Sequence, residues 1–273
     1  MNRAKPTSAR KAPWTSWDAW LSSPPGKYVL EWEQAQFDHI VSDIFGYHAL
    51  QIGLPQLTTL QENRMPLQII LRAPHDKPNQ GDSSEHTWHA VDGMPEELPF
   101  TSQSLDLVIL PHVLEFAADP HAVLREVERV LMPEGRVVIS GFNPASSWGL
   151  RQYLSHILGQ TPYLPREGQF IALLRIKDWL KLLNFSVDRG RFGCYRLPLR
   201  SKSGMEKMGF LEKAGDRWWP VLGSVFIVSA VKRVSGMTLV GKIDAKPSPT
   251  SSKLSPATNL TSPQQKNTSE SHS

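Results

Sequence analysis

The stretch from Leu105 to Asn143, LDLVILPHVLEFAADPHAVLREVERVLMPEGRVVISGFN, decides how the chain folds. Its opening run, Leu107-Val108-Ile109-Leu110, has no polar residue, which suits a strand covered on both faces of a parallel sheet. Asp119 offers an N-cap and Pro120 fits the first helical position. Val123, Leu124, Val127, Val130 and Leu131 then recur at helical spacing until Pro133 and Gly135 interrupt the pattern. A second strand-like run, Arg136 to Phe142, follows at once. Two strands joined by one amphipathic helix lie parallel with a right-handed crossover, so the stretch reads as a βαβ unit. In open α/β sheets ligands bind beyond the carboxyl ends of the strands, here Pro111-His112-Val113-Leu114-Glu115 and Asn143-Pro144-Ala145-Ser146. These two loops are the first candidates for a site.

Upstream, Tyr47 to Gly53 reads as a strand, Pro55 to Arg64 as a helix and Leu67 to Leu71 as a strand, a second βαβ unit. Ala73 to Glu85 has the composition of a surface loop, Trp88 to Val91 reads as a short strand, and Asp92-Gly93-Met94-Pro95 as a turn. Trp14, Trp17, Trp20 and Leu21 recur at helical spacing, Ser22-Ser23-Pro24-Pro25-Gly26 reads as a break, and a second helix is expected over about Leu30 to Phe45. The tryptophans are expected to pack against the sheet rather than stack on a substrate, because large aromatics mostly serve cores. Downstream, the segment from Asn143 to Gly168 is expected to fold over the carboxyl edge and shape a pocket. A helix is expected over Ile176 to Leu183, a strand over Phe185 to Gly190, a helix over Met205 to Ala214 and a strand over Val225 to Val231. The basic, aperiodic residues 1–13 and the Ser-, Thr-, Pro- and Gln-rich residues 244–273 are expected to be disordered. That leaves an N-terminal helical segment, 14–45, and an α/β domain, 46–243.

Cys194 is the single cysteine, which excludes an internal disulfide and a cysteine-based zinc cluster and points to a reducing compartment, the cytoplasm. No activating neighbour for Cys194 is evident in the sequence, so it reads as a packed thiol. His86 and His89 lack a third ligand at a supporting spacing, so no metal site is expected. The longest apolar stretch, around Leu222 to Val231, is too short to span a bilayer, and no membrane insertion is expected. Net charge is +4, but it is unevenly placed: residues 14–147 carry 7 basic and 18 acidic side chains, and residues 148–245 carry 16 and 7. Such a split fits mutual attraction within one domain, or a basic surface for an anionic substrate such as RNA. The former is favoured, and with it a small-molecule substrate over RNA.

Leu98-Pro99-Phe100 ahead of Leu105-Asp106-Leu107-Val108, and the passage from Arg129 to Arg136, RVLMPEGR, resemble class I S-adenosylmethionine-dependent methyltransferases of the type-11 domain family. The resemblance is strongest from Asp92 to Phe142 and covers about residues 45–235. It implies an α/β, doubly wound, Rossmann-like fold: a mostly parallel seven-stranded sheet with helices on both faces and Val225 to Val231 as the antiparallel strand. It also implies S-adenosylmethionine as cofactor and methyl transfer as activity. Cofactor contacts are then expected at Gly53, Asp92, Gly93, Met94 and Pro111, with Asp92 at the position that usually meets the adenine amino group. His112 and Glu115 fall where the family lines its pocket, and they are the candidate catalytic residues.

The sequence departs from the family where the cofactor is expected. The usual first strand ends in an acidic residue and a Gly-x-Gly-x-Gly loop; here Gln51-Ile52-Gly53-Leu54-Pro55-Gln56-Leu57 keeps one glycine. Leucine adds a side chain, and proline removes a donor and fixes φ. At the end of the second strand, where an acid usually takes the ribose hydroxyls, stands Arg72, which cannot accept a hydrogen bond. Two function classes therefore stand side by side: a methyltransferase acting on a small molecule or on RNA, and a binding or scaffold protein that kept the fold and lost the cofactor.

The composition of the last segment cannot bury enough apolar surface to offset the entropy of ordering it. Deleting Lys246 to Ser273 is expected to leave the thermal midpoint nearly unchanged in a circular-dichroism melt. A drop of several degrees would mean that the segment docks.

Overall fold

The structure, a computed structural model, describes residues 17–72, 88–159, 163–164, 168–198, 204 and 208–233. The N-terminal arm, the loop from Ala73 to Glu85 and the C-terminal segment lie outside them. Seven strands form one sheet: β1 (His48–Ile52), β2 (Leu67–Arg72), β3 (His89–Asp92), β4 (Leu105–Pro111), β5 (Leu131–Phe142), β6 (Phe185–Gly193) and β7 (Val225–Lys232). Their order is β3-β2-β1-β4-β5-β7-β6. β1 to β5 run parallel to one another, whereas β7 is antiparallel to both β5 and β6. The doubly wound, mostly parallel architecture and the reversed last strand match the sequence expectation.

Alternation along the strands makes two cores. Val108 and Leu110 of β4 face one side with Leu50, Ile52, Val137 and Ile139, where α4 (Pro120–Val130) and α6 (Leu173–Leu182) cover the sheet. Leu107 and Ile109 face the other with Ala49, Val138 and Ile227, under α1 (Trp17–Leu21), α2 (Pro24–Val41) and the loop that follows β1. Asp119 caps α4 as expected, accepting from the His121 and Ala122 N–H groups. Lys232, at the end of β7, donates to the Glu128 and Leu131 carbonyls and pairs with the Glu128 carboxylate at 2.9 Å, tying the end of α4 to the sheet.

Several elements differ from the sequence reading. The break at Ser22 to Gly26 is a helix start: Ser23 accepts from the Gly26 N–H, and Pro24 and Pro25 occupy the first positions of α2, where no donor is needed. α2 therefore runs from Pro24 to Val41 rather than from Leu30 to Phe45. The segment after Asn143 contains a helix, α5 (Ser147–Ile157), capped by Ser146. Of the helix expected over Met205 to Ala214, residues 205–207 lie outside the described ones; α7 spans Phe210–Trp218, and a 3₁₀ turn at Pro220–Leu222 leads into β7. A short α3 (Val113–Phe116) follows β4 directly.

The largest departure is at Pro55 to Arg64, where turns replace the expected helix. Gln51 explains it. Fully buried in β1, its amide donates to the carbonyls of Gly53, Leu54 and Leu57, and its oxygen accepts from the Thr59 N–H and, at 2.6 Å, from the Thr59 hydroxyl. One side chain thus shares its two N–H protons among three carbonyls, of which Leu54 also accepts from the Leu57 N–H. Gln51→Glu keeps the size but replaces the donor by a second acceptor facing those carbonyls. It is expected to cost on the order of 3 kcal/mol or more in urea unfolding, the range for buried polar groups deprived of partners. A loss under about 1 kcal/mol would show that the loop holds itself.

Candidate functional site

The carboxyl ends of four parallel strands bring most of the expected site residues together. Gly53 sits at φ +68° and Leu54 at φ +47°, so the chain leaves β1 through two successive left-handed residues. A Cβ built on Gly53 meets only Val113 Cγ2, at 3.7 Å, which leaves open space beside the loop. The Gly53 N–H, however, donates to the Leu71 carbonyl at 3.0 Å and is already taken. Leu54 turns into the core and is 7% exposed. At the next ends, Arg72 and Asp92 are register partners of β2 and β3, and Arg72 Nη2 pairs with Asp92 Oδ1 at 3.3 Å. Arg72 Nε is buried and makes no hydrogen bond, while the Asp92 side chain is well exposed. The Arg72 pairing was not foreseen in the sequence, where Asp92 stands 20 positions away. Gly93 serves packing: a Cβ there would lie 3.0 Å from Leu71 Cδ1 and 3.3 Å from Pro99 Cδ. Met94 is half exposed beside it, and Pro111 closes β4 opposite Ser140 of β5.

His112 and Glu115 are also brought together, but as part of a larger buried cluster. His112 has φ +56° and starts α3. Its Nδ1 lies 2.7 Å from Glu115 Oε2, and its Nε2 lies 3.0 Å from Glu33 Oε1 of α2. All three side chains are buried, with Glu33 at 0% exposure. The Phe142 N–H donates to Glu115 Oε1. Burial works against a charged imidazole, but the Glu33 and Glu115 carboxylates more than offset it and hold His112 up at about 10. Burial likewise raises Glu115, with His112 acting against it. At neutral pH the ring therefore keeps its proton, with Glu115 at Nδ1 and Glu33 facing Nε2, and has no free lone pair to accept another. Around it stand Trp17, whose ring centroid is 5.3 Å from the imidazole, and Phe142, at 4.5 Å. Trp17 stacks on the fully buried Trp20, so these tryptophans belong to the packing of α1 over the sheet end.

Glu33 escaped the sequence reading although it left a signal. Val29, Glu33, Phe37 and Val41 form the buried stripe of α2 at four-residue spacing, and a carboxylate in the middle of an apolar stripe needs a partner. The expected helix over Leu30 to Phe45 already contained Glu33, Phe37 and Val41, and only Val29 fell outside it. Cys194 is buried, as expected for a packed thiol; burial first, then Glu212 and Glu33, push it well above its ordinary value. Among the described residues no group of three or more His, Cys, Asp and Glu side chains is placed to hold a metal ion.

Beside the cluster opens a cleft of about 1050 Å³ between α5 and the 168–170 segment. Ser147, Gln152, Tyr153 and His156 of α5, Phe170 and Leu222 line it. Gly168, also on its wall, approaches Phe116, and the Gln169 N–H donates to the Glu115 carbonyl at 2.7 Å. Phe170 packs edge-on to Phe142 at 5.8 Å. The cleft and the buried cluster thus share a wall, as expected for the segment after Asn143.

A sequence profile described as a methyltransferase domain matches residues 72–139. The uncharacterized protein YafS of Escherichia coli (strain K12) is 32% identical over 223 residues, 81% of this chain and 83% of that protein. The fold is similar to a chain of the complex between the Haloferax volcanii Trm112 methyltransferase activator and its methyltransferase, with a TM-score of 0.52, 14% identity and coverage of 80% of this chain and 96% of that one. It is also similar to a SAM-dependent methyltransferase from Archaeoglobus fulgidus, with a TM-score of 0.50, 18% identity and coverage of 74% and 94%.

The buried cluster has a pH signature. His112 is raised from 6.5 to about 10, so the folded protein keeps a proton that the unfolded chain releases. Its contribution to stability is full below about pH 6.5 and declines as pH rises toward about 10; the upward shift of Glu115 has the same sign. Glu33→Gln removes one of the two carboxylates that hold the proton. The fall in melting temperature between these pH values is therefore expected to be shallower in the variant than in the wild type. Parallel curves would detach Glu33 from the cluster.

Proposed function

The chain belongs to the type-11 domain family of class I S-adenosylmethionine-dependent methyltransferases, and we propose that it transfers a methyl group to a small acceptor seated in the α5 cleft. The observation that carries this reading is the convergence of Gly53, the Arg72–Asp92 pair, Met94 and Pro111 at the carboxyl ends of β1 to β4, on the same edge of the sheet from which the parallel β5 leads into α5. This is where open α/β sheets bind ligands.

The residues present fit an adenosine-bearing cofactor in altered form. Gly53 leaves room beside the loop, Asp92 offers an exposed acceptor for an amino or hydroxyl group, and the orphaned Arg72 Nε offers a donor where the family has an acid. When bound, S-adenosylmethionine supplies an electrophilic methyl group on a sulfonium centre. The chain's own residues then act by holding and enclosing. Asp92 and Arg72 would hold the adenosine end, Gly53 and Pro111 to Val113 would border the rest, and Trp17 and Phe142 would keep water out. His112 and Glu115, each engaged by the other, fix the turn after β4 rather than move a proton. Positioning alone can supply roughly 7–11 kcal/mol when near-attack geometry is good, so methyl transfer here needs no general base from the chain.

A second reading has its own support. The Gly53 N–H already bonded to Leu71, and Pro55 and Leu57 in place of glycines, favour a scaffold that no longer binds the cofactor. Calorimetric titration with S-adenosylmethionine and S-adenosylhomocysteine separates the two. Saturable binding is expected, weakened about tenfold to a hundredfold by Asp92→Asn, the worth of one charge-assisted hydrogen bond. Absence of heat from a folded protein at high ligand concentration would favour the scaffold. Gly53→Val is a poor probe, because its positive φ strains a valine whatever the ligand does. Steeply salt-dependent binding of bulk transfer or ribosomal RNA would move the acceptor class to RNA.

A further inference from the structure

Where α7 meets the end of β6 there is a cavity of about 200 Å³, lined by Trp32 of α2, Arg191 and Phe192 of β6, Tyr195, and Glu212 and Asp216 of α7. Glycines at two positions shape its aromatic walls. A Cβ on Gly193, at the end of β6, would fall 2.1 Å from Trp32 Cε2, and one on Gly215 of α7 would fall 2.3 Å from the Tyr195 ring, so each ring lies flush against backbone. The Tyr195 hydroxyl donates to the Pro220 carbonyl at 2.8 Å and fixes that ring further. Phe192 packs its ring on Phe226 at 6.3 Å, which leaves Trp32 and Tyr195 as the aromatic walls. Glu212 and Asp216 stand four residues apart on α7, a spacing at which like charges repel. Glu212 accepts from the Tyr28 hydroxyl and from the Cys194 N–H, neutral donors that fix the carboxylate without cancelling a charge. Asp216 is exposed and has no ion pair among the described residues. Arg191, the one basic side chain on the wall among the described residues, donates to Gln36 Oε1 at 3.0 Å instead. Arg196 stacks on the Tyr28 ring at 4.4 Å and does not line the cavity. Burial, then Asp216 and Glu212, push the Tyr195 hydroxyl up to about 12, with Arg191 acting against them, so both carboxylates act on that ring.

We infer that this cavity binds a methylated ammonium group, with the Trp32 and Tyr195 rings against its methyl groups and the Glu212 and Asp216 carboxylates balancing its charge. The walls ask for different properties: the rings favour a bulky, weakly hydrated surface, and the carboxylates favour a positive charge. A methylated ammonium group supplies both, because its charge is spread over methyl groups that form no strong hydrogen bonds. A primary ammonium would need acceptors for its protons, and both Glu212 oxygens are already engaged. Arg191 widens the choice of ligand: choline carries the group alone, and glycine betaine adds a carboxylate for a guanidinium to meet. The site stands apart from cofactor binding, since β5 and β7 separate β6 from the strand ends of β1 to β4.

Calorimetric titration of the full chain, without cofactor, tests it with choline, with glycine betaine and with the neutral carbon analogue of choline, in which a tert-butyl group replaces trimethylammonium. Saturable binding of choline or glycine betaine is expected at millimolar concentrations, about tenfold or more tighter than that of the neutral analogue. Trp32→Leu is expected to weaken it by about tenfold, through loss of the ring face. Asp216→Asn changes an exposed side chain, which keeps folding out of the comparison, and is expected to weaken it about twofold to fivefold. A preference for glycine betaine that Arg191→Gln removes would assign a zwitterion, and a preference for choline would assign a plain cation. No saturation by either ligand, equal binding of the neutral analogue, or affinities unchanged in both Trp32→Leu and Asp216→Asn would overturn the inference.

Discussion

An imidazolium held between two carboxylates, where water does not reach, ties the N-terminal helices to the end of the central strand. Each of its three groups would be costly to bury alone, and together they hold α2, the turn after β4 and the backbone of Phe142 in one register. The packing of α1 follows from it, because Trp17 rests on the same histidine and on Phe116 at 4.8 Å. The cleft depends on it less directly, through Glu115, Phe116 and the 168–170 segment. A buried ion pair is weak support for stability in itself, since apolar residues of similar volume often do as well. Its worth here is geometric: Nδ1 is held by Glu115, and Nε2 must face Glu33 across 3.0 Å although that contact completes no hydrogen bond.

The loop after β1 shows a related economy. The carbonyls of Gly53, Leu54 and Leu57 converge on a single amide, Gln51, instead of on a helix of their own. That exchange lets leucines from the loop enter the core, Leu57 and Leu60 among them, on the face where α1 and α2 also lie. It also explains why an acid at this strand end, usual in the family, would be out of place: a carboxylate has no protons to give three carbonyls.

What the sequence made legible follows from where side-chain pattern alone determines structure. β4, α4 and β5 were plain because burial on both faces, a capped helix and a Pro-Gly stop leave little choice. The gathering of Gly53, Asp92 and Pro111 at one end of the sheet followed from strand order. Three things did not follow. The helix start at Pro24 was read as a break because prolines serve both roles, and only the Ser23 cap tells them apart. The loop at 55–64 keeps apolar spacing compatible with a helix, while the contact that prevents one comes from a residue outside it. Glu33, the second partner of His112, and Arg72, the partner of Asp92, lie 79 and 20 positions away in the sequence, and no local pattern predicts which charge a fold brings to another.

The imbalance of charge along the chain is met by pairing across the sheet. Arg136 of β5 pairs with Asp188 of β6, and Arg189 of β6 pairs with Asp43, just after α2, at 3.2 Å. Both pairs join the first, acidic portion of the chain to the second, basic one, and both stand partly open to solvent. Salt therefore screens an attraction between the two halves of the chain rather than one confined to neighbours in sequence.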